Sequence, residues 1–133
     1  MSLTVTINSV PITITLSGVG PQGPSGGGGG GGGVTVTPIS TSPFMAGALS
    51  GINIYTIYNN EFPFVFDLPV DPASNQEIQI LDAGLNSAAY PININGNGNN
   101  ICAYGAKTTS ISIASNGGSI SLVWDGTQWT QNG

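Results

Sequence analysis

The sequence almost completely lacks basic side chains. Its 133 residues include no His and no Arg, and Lys107 is the only base, whereas six residues are Asp or Glu, which gives a net charge of −5. Proteins that bind nucleic acids neutralise phosphates with clustered Lys and Arg, and anionic membrane surfaces attract the same residues. We therefore expect no nucleic acid and no membrane among the partners.

The absence of His also argues against several kinds of catalysis. Ser and Cys nucleophiles normally depend on a His base, and zinc sites are built largely from His and Cys. Paired carboxylates can hydrolyse glycosides, but the carboxylates of this chain follow no such pattern, because Asp125 belongs to a turn and Asp71 and Asp82 stand at loop entries. Asp67 and Asp71 could bind Ca²⁺ with backbone carbonyls, yet no loop has EF-hand spacing. We expect no enzymatic activity, no cofactor and no metal. The carboxylates are Glu61, Asp67, Asp71, Glu77, Asp82 and Asp125.

Cysteine and long apolar runs are also scarce. Cys102 is the only cysteine, which excludes a disulfide within the chain, and we expect a buried free thiol. No run of 18 apolar residues occurs, so the sequence predicts no transmembrane helix. The N-terminus has no positively charged region followed by an apolar stretch, and we expect no signal peptide.

What is abundant is glycine, concentrated in residues 20–33, which read G-P-Q-G-P-S-G followed by glycine alone. Glycine at every third position is what three polyproline-II-like chains need to wind around a common axis. A flexible linker is the alternative interpretation. We predict an extended collagen-like or polyglycine stem over residues 18–33, of which the 14 residues 20–33 would span about 40 Å. The stem positions with this spacing are Gly20, Gly23, Gly26, Gly29 and Gly32.

Residues 3–7 and 12–16 alternate between apolar residues and mostly Thr, which predicts an N-terminal β-hairpin. A lone hairpin is marginal in water, so its apolar face needs a partner. The alternative is that the hairpin folds onto the chain's own body. We expect residues 1–17 to anchor the protein to a partner through Leu3, Val5, Ile7, Ile12, Ile14 and Leu16.

Residues 34–133 predict an all-β knob, expected to be an antiparallel β-sandwich or β-prism. Residues 34–37 are the first strand-like segment, and a loop with Pro38, Pro43 and Gly47 follows it. From residue 52 onward short strand-like segments recur every 8 to 14 residues, bounded by Asn, Gly, Pro, Asp or Ser, and no stretch has helical periodicity. These segments are residues 52–58, 62–68, 77–81, 91–95, 101–104, 110–113, 119–124 and 129–131. The Asp125-Gly126 turn between Trp124 and Trp129 predicts a hairpin. Together with the turn at residues 115–118 it predicts a C-terminal antiparallel meander.

Aromatic side chains and asparagines are the remaining candidates for binding. Alternating Phe residues predict an apolar core or subunit interface, and we expect the core of a trimer to contain Phe62, Phe64, Phe66, Ile78 and Ile80. Exposed aromatic rings could stack on sugars, and the candidates are Tyr90, Tyr104 and Trp129. The Asn- and Gly-rich residues 93–100 could display amides to a glycan, but a tight loop is the favoured interpretation.

A longer pattern covers residues 64–131. It runs through D-L-P at residues 67–69, E-I-Q-I-L-D-A at 77–83, P-I-N-I-N-G-N-G at 91–98 and S-I-S-L-V-W-D-G-T-Q-W at 119–129. This pattern resembles a module of bacteriophage fibre and virion surface proteins, and the L-T-V-T-I start followed by G-P-Q-G-P-S-G is similar to the start of many phage fibre proteins.

The resemblance implies a homotrimer of β domains and a structural role at the virion surface, after assembly in the host cytoplasm. The short chain favours a head fibre or decoration (cement) protein, attached to the major capsid protein or another virion protein through residues 1–17. The alternative is a tail fibre tip that recognises a host surface polysaccharide.

Overall fold

The structure is a computed structural model that describes residues 2–7, 10–15, 33–59 and 62–132. Within these ranges it contains thirteen β-strands and no helix, which confirms the predicted all-β class. No helix long and apolar enough to cross a membrane occurs in this part of the chain. The strands are β1 (Ser2–Ile7), β2 (Val10–Thr15), β3 (Val34–Ile39), β4 (Phe44–Met45), β5 (Ile52–Ile57), β6 (Phe64–Asp67), β7 (Glu77–Asp82), β8 (Ile92–Asn95), β9 (Ile101–Ala103), β10 (Ala106–Thr108), β11 (Ser110–Ile113), β12 (Ser119–Trp124) and β13 (Trp129–Gln131).

The chain divides into two compact units, Met1–Gly31 and Gly32–Gly133. In the first unit β1 pairs antiparallel with β2, so the predicted N-terminal strand pair is present. Two sets of predicted residues lie outside what the structure describes. They are the side chains of the anchor (Leu3, Val5, Ile7, Ile12, Ile14 and Leu16) and the stem glycines (Gly20, Gly23, Gly26, Gly29 and Gly32).

The second unit is a β-solenoid-like stack. The chain makes three successive coils, and each coil contributes one strand to each of two sheets: β3 and β4, then β5 and β6, then β7 and β8. Strands β3, β5 and β7 pair parallel in one sheet, and β4, β6 and β8 pair parallel in the other. The predicted antiparallel sandwich is therefore wrong. Parallel and antiparallel strands show the same alternation of buried and exposed residues. The sequence pattern therefore could not distinguish them, because the connections between the strands decide which pairing forms.

The last five strands complete the two sheets. β12 pairs antiparallel with β7 and β13, β13 pairs parallel with β9, and β10 pairs antiparallel with β9. The first sheet thus has seven strands in the order β10-β9-β13-β12-β7-β5-β3, and the second has four in the order β11-β8-β6-β4. The Trp124–Trp129 hairpin is confirmed. The wider meander is wrong, because the turn at residues 115–118 leads from the four-stranded sheet to the seven-stranded sheet.

The inward faces of the two sheets form one core. Strands β5 and β7 bury every second residue, as their sequence alternation predicts. Phe44, Tyr55 and Phe66 form an aromatic cluster with ring centroids 5.0 to 5.5 Å apart. The side chains that are completely inaccessible include Ile57, Phe66, Leu68, Ile78, Ile80, Ile92, Ile94, Ile101, Leu122 and Trp129.

Buried amides tie the coils together. The Asn53 side chain donates to the Leu49 carbonyl at 2.8 Å, and the Gln76 side chain donates to the Gly47 carbonyl at 2.8 Å. Gln76 also accepts from the Ala73 amide at 3.1 Å through its side-chain oxygen. A buried polar group is costly without such partners, so these contacts fix how each coil lies on the preceding one.

Three elements differ from the sequence-based expectation. β3 continues through Pro38 to Ile39, where a loop was predicted, and β4 and β10 were not predicted as strands. Pro38 fits because the amides of Ile52, in β5, and of Tyr58, directly after β5, donate to the carbonyls of Gly33 and Ile39, at 3.1 and 2.8 Å. Because alternate residues of β3 form the hydrogen bonds to β5, the backbone nitrogen of Pro38 points to the open edge of the sheet, where no N–H is needed.

Candidate functional site

The five residues predicted to form a trimer core divide between the core of one chain and the surface. Phe64, Phe66, Ile78 and Ile80 are 0 to 1% exposed within a single chain. Phe62 is 64% exposed, because β6 begins only at Phe64 and the alternation does not extend back to it. Side chains that one chain already buries have no surface left to contact a second copy, so a subunit contact has to involve other residues.

The three aromatic residues proposed for sugar stacking lie in different environments. Trp129 is completely buried and packs against Trp124 with ring centroids 5.6 Å apart, so its face cannot meet a sugar. Tyr90 is half-buried in the connection between β7 and β8. Only Tyr104 is well exposed, at 64%.

Tyr104 occupies an unusual backbone conformation at the tip of the β9–β10 hairpin. Its φ is 52° and that of Gly105 is 75°, so both residues of the turn are in the left-handed region. This conformation is rare for a bulky side chain and common for Asn or Gly. The Gln131 side chain accepts from the Tyr104 amide at 2.8 Å and holds the turn in place. The hairpin therefore presents an aromatic ring where a smaller residue would fit more easily.

The Asn-rich segment forms a structural turn, in agreement with the loop interpretation. The Asn95 side chain donates to the Asp67 carboxylate at 2.9 Å. The Asn97 side chain donates to the Leu68 carbonyl at 3.0 Å, and that of Asn99 to the Val70 carbonyl at 3.0 Å. These amides connect the third coil to the second.

Among the carboxylates that the structure describes, Asp82 is the most buried and is 3% exposed. It accepts from the backbone amides of Ser87 (2.9 Å), Gly117 (3.0 Å) and Asn86 (3.3 Å). Burial alone would raise the pKa of Asp82, but these backbone N–H groups outweigh it and hold the pKa below its usual value. Asp82 thus joins the β7–β8 connection to the β11–β12 turn. Its position at a loop entry was the signal in the sequence.

Asp125 has a similar role at the surface. Its carboxylate accepts from the amides of Thr127 (2.8 Å) and Gln128 (2.9 Å) and from the Thr130 hydroxyl (2.9 Å). The backbone amides of Gln128 and Thr127 hold the pKa of Asp125 below its usual value. Cys102 is half-buried, and the buried thiol expected from the sequence is therefore only partly enclosed. Among the described residues no three potential ligands of a metal ion come together.

The outer face of the seven-stranded sheet carries two shallow depressions. One, of about 210 Å³, is lined by Gln79, Leu81, Ser119, Ile120, Ser121 and Asn132. The other, of about 400 Å³, is lined by Val123, Asp125, Thr130, Gln131 and Asn132. Both present amides, hydroxyls and aliphatic groups, and Asp125 is the only charged residue in their walls.

The first coil, residues 34–49, carries much of the exposed apolar surface of the described residues. β3 is one edge strand of the seven-stranded sheet, opposite β10, and β4 is one edge strand of the four-stranded sheet, opposite β11. Nine large apolar side chains are exposed in the described part of the chain, and four belong to this coil: Val34, Val36, Met45 and Leu49. Natural sheets commonly protect an open edge with charges, and the outer coils of a stack are usually polar. The sequence showed β3 as a strand but gave no sign that it would be an edge.

No family model matches the chain, and no curated protein is significantly similar to it.

Proposed function

We propose that the chain is a structural protein of a bacteriophage virion, a homotrimeric head fibre or decoration protein. In this proposal residues 1–17 bind the major capsid protein or another virion protein, residues 18–33 form a slender stem, and residues 34–133 form the knob. The motifs that resemble phage fibre and virion surface proteins support it. The protein would reach the virion surface after assembly in the host cytoplasm.

One structural observation carries the proposal. The stacked β unit begins directly where the glycine spacing of the stem ends, because the Gly33 carbonyl already accepts from the Ile52 amide at 3.1 Å and β3 starts at Val34. No flexible connection separates Gly33 from the sheet. A folded knob that joins a period-three glycine segment in this way fits a projecting fibre.

Electron microscopy of the phage particle tests the location. Antibodies raised against the purified full-length chain should label the capsid surface of the phage that encodes it. Label confined to the tail would favour the alternative function, and particles without label would contradict a virion role.

A deletion tests the anchor. Without residues 1–17 the protein should remain a trimer in solution but no longer bind capsids that lack it. The full-length chain, added to the same capsids, is the control. If the shortened chain still decorates the capsids, the anchor lies elsewhere.

A second candidate function is a tail fibre tip that binds a host surface polysaccharide, and the exposed Tyr104 at its hairpin tip favours it. Purified wild-type protein should then compete with phage for adsorption to host cells, and Tyr104→Ala should reduce this competition at least tenfold. Tyr58→Ala is the matched control, because Tyr58 is 51% exposed and lies outside this hairpin. Equal competition by wild type and Tyr104→Ala would rule out Tyr104 as a contact.

A further inference from the structure

We propose that the outer face of β3, formed by Val34 and Val36, is the contact through which three copies of this chain associate. The proposal deepens the trimeric assembly put forward above and rests on it. It assigns the subunit contact to a surface that the described part of the chain leaves exposed.

The register of the seven-stranded sheet places these two side chains on its outer face. β5 buries Asn53, Tyr55 and Ile57 and turns Ile52 and Ile54 outward. Val34 pairs with Ile52 and Val36 with Ile54, so the two valines continue this outward row. Val34 and Val36 are 61% and 58% exposed, while Ile52 and Ile54 are half-buried. The result is an aliphatic strip at the edge of the sheet.

The strand itself carries no charge, and the outward row that begins at Val34 and Val36 reaches polar side chains only at Glu77 and Gln79 of β7. β3 reads V-T-V-T-P-I and contains no charged residue. The N–H and C=O groups of Val34 and Val36 point to the free edge of β3. This follows because the alternate residues, from Gly33 to Ile39, are the ones that form hydrogen bonds with the neighbouring strand. An exposed aliphatic edge without charge invites pairing with another chain. Pro38, which has no N–H to offer, limits the contact to the first half of the strand.

The position of the strip in the chain identifies its occupant. Glycine recurs at every third position up to Gly32, the spacing that three chains sharing an axis require. Val36 follows Gly32 by four residues, and four extended residues span at most about 14 Å. If Gly32 lies on the shared axis, Val36 is therefore within about 14 Å of it. Three chains that leave a common stem therefore bring three copies of the strip together, which makes two further copies of this chain the partner.

Mass measurement of the full-length protein tests the proposal. The wild type should have three times the chain mass of 13.4 kDa by light scattering. The double variant Val34→Asp/Val36→Asp should lose two thirds of that mass, because burying carboxylates at a contact is unfavourable. It should keep the far-UV circular dichroism of the wild type, since both side chains are exposed in the single chain. Val70→Asp is the matched control, because Val70 is 57% exposed on the connection after β6, and it should stay trimeric.

The outcomes separate the two proposals. A monomeric wild type would overturn both the trimeric fibre and the β3 contact. A trimeric double variant would overturn the β3 contact and leave the trimeric fibre standing.

Cross-linking provides a second measurement that does not depend on how aspartate is tolerated. In a Cys102→Ser background, Val36→Cys should form disulfide-linked dimers on oxidation, because neighbouring copies would lie within the reach of about 7 Å between Cα atoms. Val70→Cys in the same background should remain unlinked. Failure of Val36→Cys to cross-link in a trimeric protein would contradict the β3 contact.

Discussion

At the scale of single residues, Asp82 shows how one carboxylate can hold two loops. Its oxygens accept from three backbone amides, on Asn86, Ser87 and Gly117. We predict that Asp82→Ala lowers the free energy of unfolding by about 3 kcal/mol, since it leaves buried N–H groups without an acceptor. Urea unfolding measures this loss. Asp71→Ala, at an exposed position, is the control and should change the free energy by less than about 0.5 kcal/mol. A loss below about 1 kcal/mol for Asp82→Ala would contradict the structural role.

The same carboxylate predicts how stability depends on pH. Backbone amides hold the pKa of Asp82 below its usual value, so the unfolded chain binds its proton more readily than the folded chain. The stabilisation is therefore complete above the unfolded pKa of about 3.9 and is lost as the pH falls through the lower folded pKa. Urea midpoints should be level between about pH 7 and pH 5 and fall below about pH 4. Asp82→Asn should flatten this fall, and an unchanged fall in the variant would assign it to other groups.

The burial of a side chain was predictable where it follows from the alternation within its own strand. Alternation in β6 and β7 correctly indicated that Phe64, Phe66, Ile78 and Ile80 face an apolar environment, but it could not say whether that environment belongs to one chain or several. For Trp129 the sequence offered sugar stacking only on the condition that the ring is exposed, and it left that condition open. The burial of Trp129 depends on its neighbours in space, Trp124 and the strand β9.

At the scale of elements, the β8–β9 turn depends on a glycine. A Cβ atom at Gly96 would overlap the backbone carbonyl of Asn99, whose amide donates to the Gly96 carbonyl at 3.1 Å. We predict that Gly96→Ala destabilises the protein by about 3 kcal/mol, because backbone cannot move aside as a flexible side chain can. Thermal unfolding followed by circular dichroism measures the change.

Gly47→Ala is the matched control for this turn. The nearest atom to a Cβ at Gly47 is Leu49 Cγ, at 3.9 Å, which is an ordinary van der Waals distance. The free energy of unfolding of Gly47→Ala should therefore lie within about 0.5 kcal/mol of the wild-type value. Equal stability of Gly96→Ala and Gly47→Ala would show that the turn rearranges at little cost.

The pairing of two strands was predictable where the strands are close together in the sequence, and not where long connections separate them. The β12–β13 hairpin followed from Asp125-Gly126 between two tryptophans, because a two-strand hairpin is specified by its own turn. The parallel pairing of β3, β5 and β7 is set by connections of a dozen or more residues that contain other strands. Nothing in β3 itself shows that its neighbour is β5. Pro38 suggested a loop because proline lacks the N–H that a central strand needs, but on the open side of an edge strand this N–H has no partner to lose.

At the scale of the whole molecule, the core formed by the described residues lies in the second unit. Its buried apolar cluster begins at Ile39 and ends at Trp129, and buried amides such as Asn53 and Gln76 connect the coils within the same unit. With only 5% charged residues, the protein relies on backbone ladders and amide contacts where other proteins use ion pairs. In the proposal made above, stability and assembly use different parts of the chain, the inward faces of the stack and the exposed outer face of β3.

This separation predicts that the knob does not need the N-terminal strands in order to fold. A chain of residues 18–133 should have a free energy of unfolding within about 0.5 kcal/mol of the full-length value at equal chain concentration, because the buried cluster lies entirely within its sequence. Urea unfolding measures both proteins. Trp129→Ala in the shortened chain is the positive control and should lower stability by about 3 to 5 kcal/mol, since it empties a completely buried site. A shortened chain that is unfolded or markedly less stable would mean that residues 1–17 complete the core, and the anchor role would then have to be abandoned.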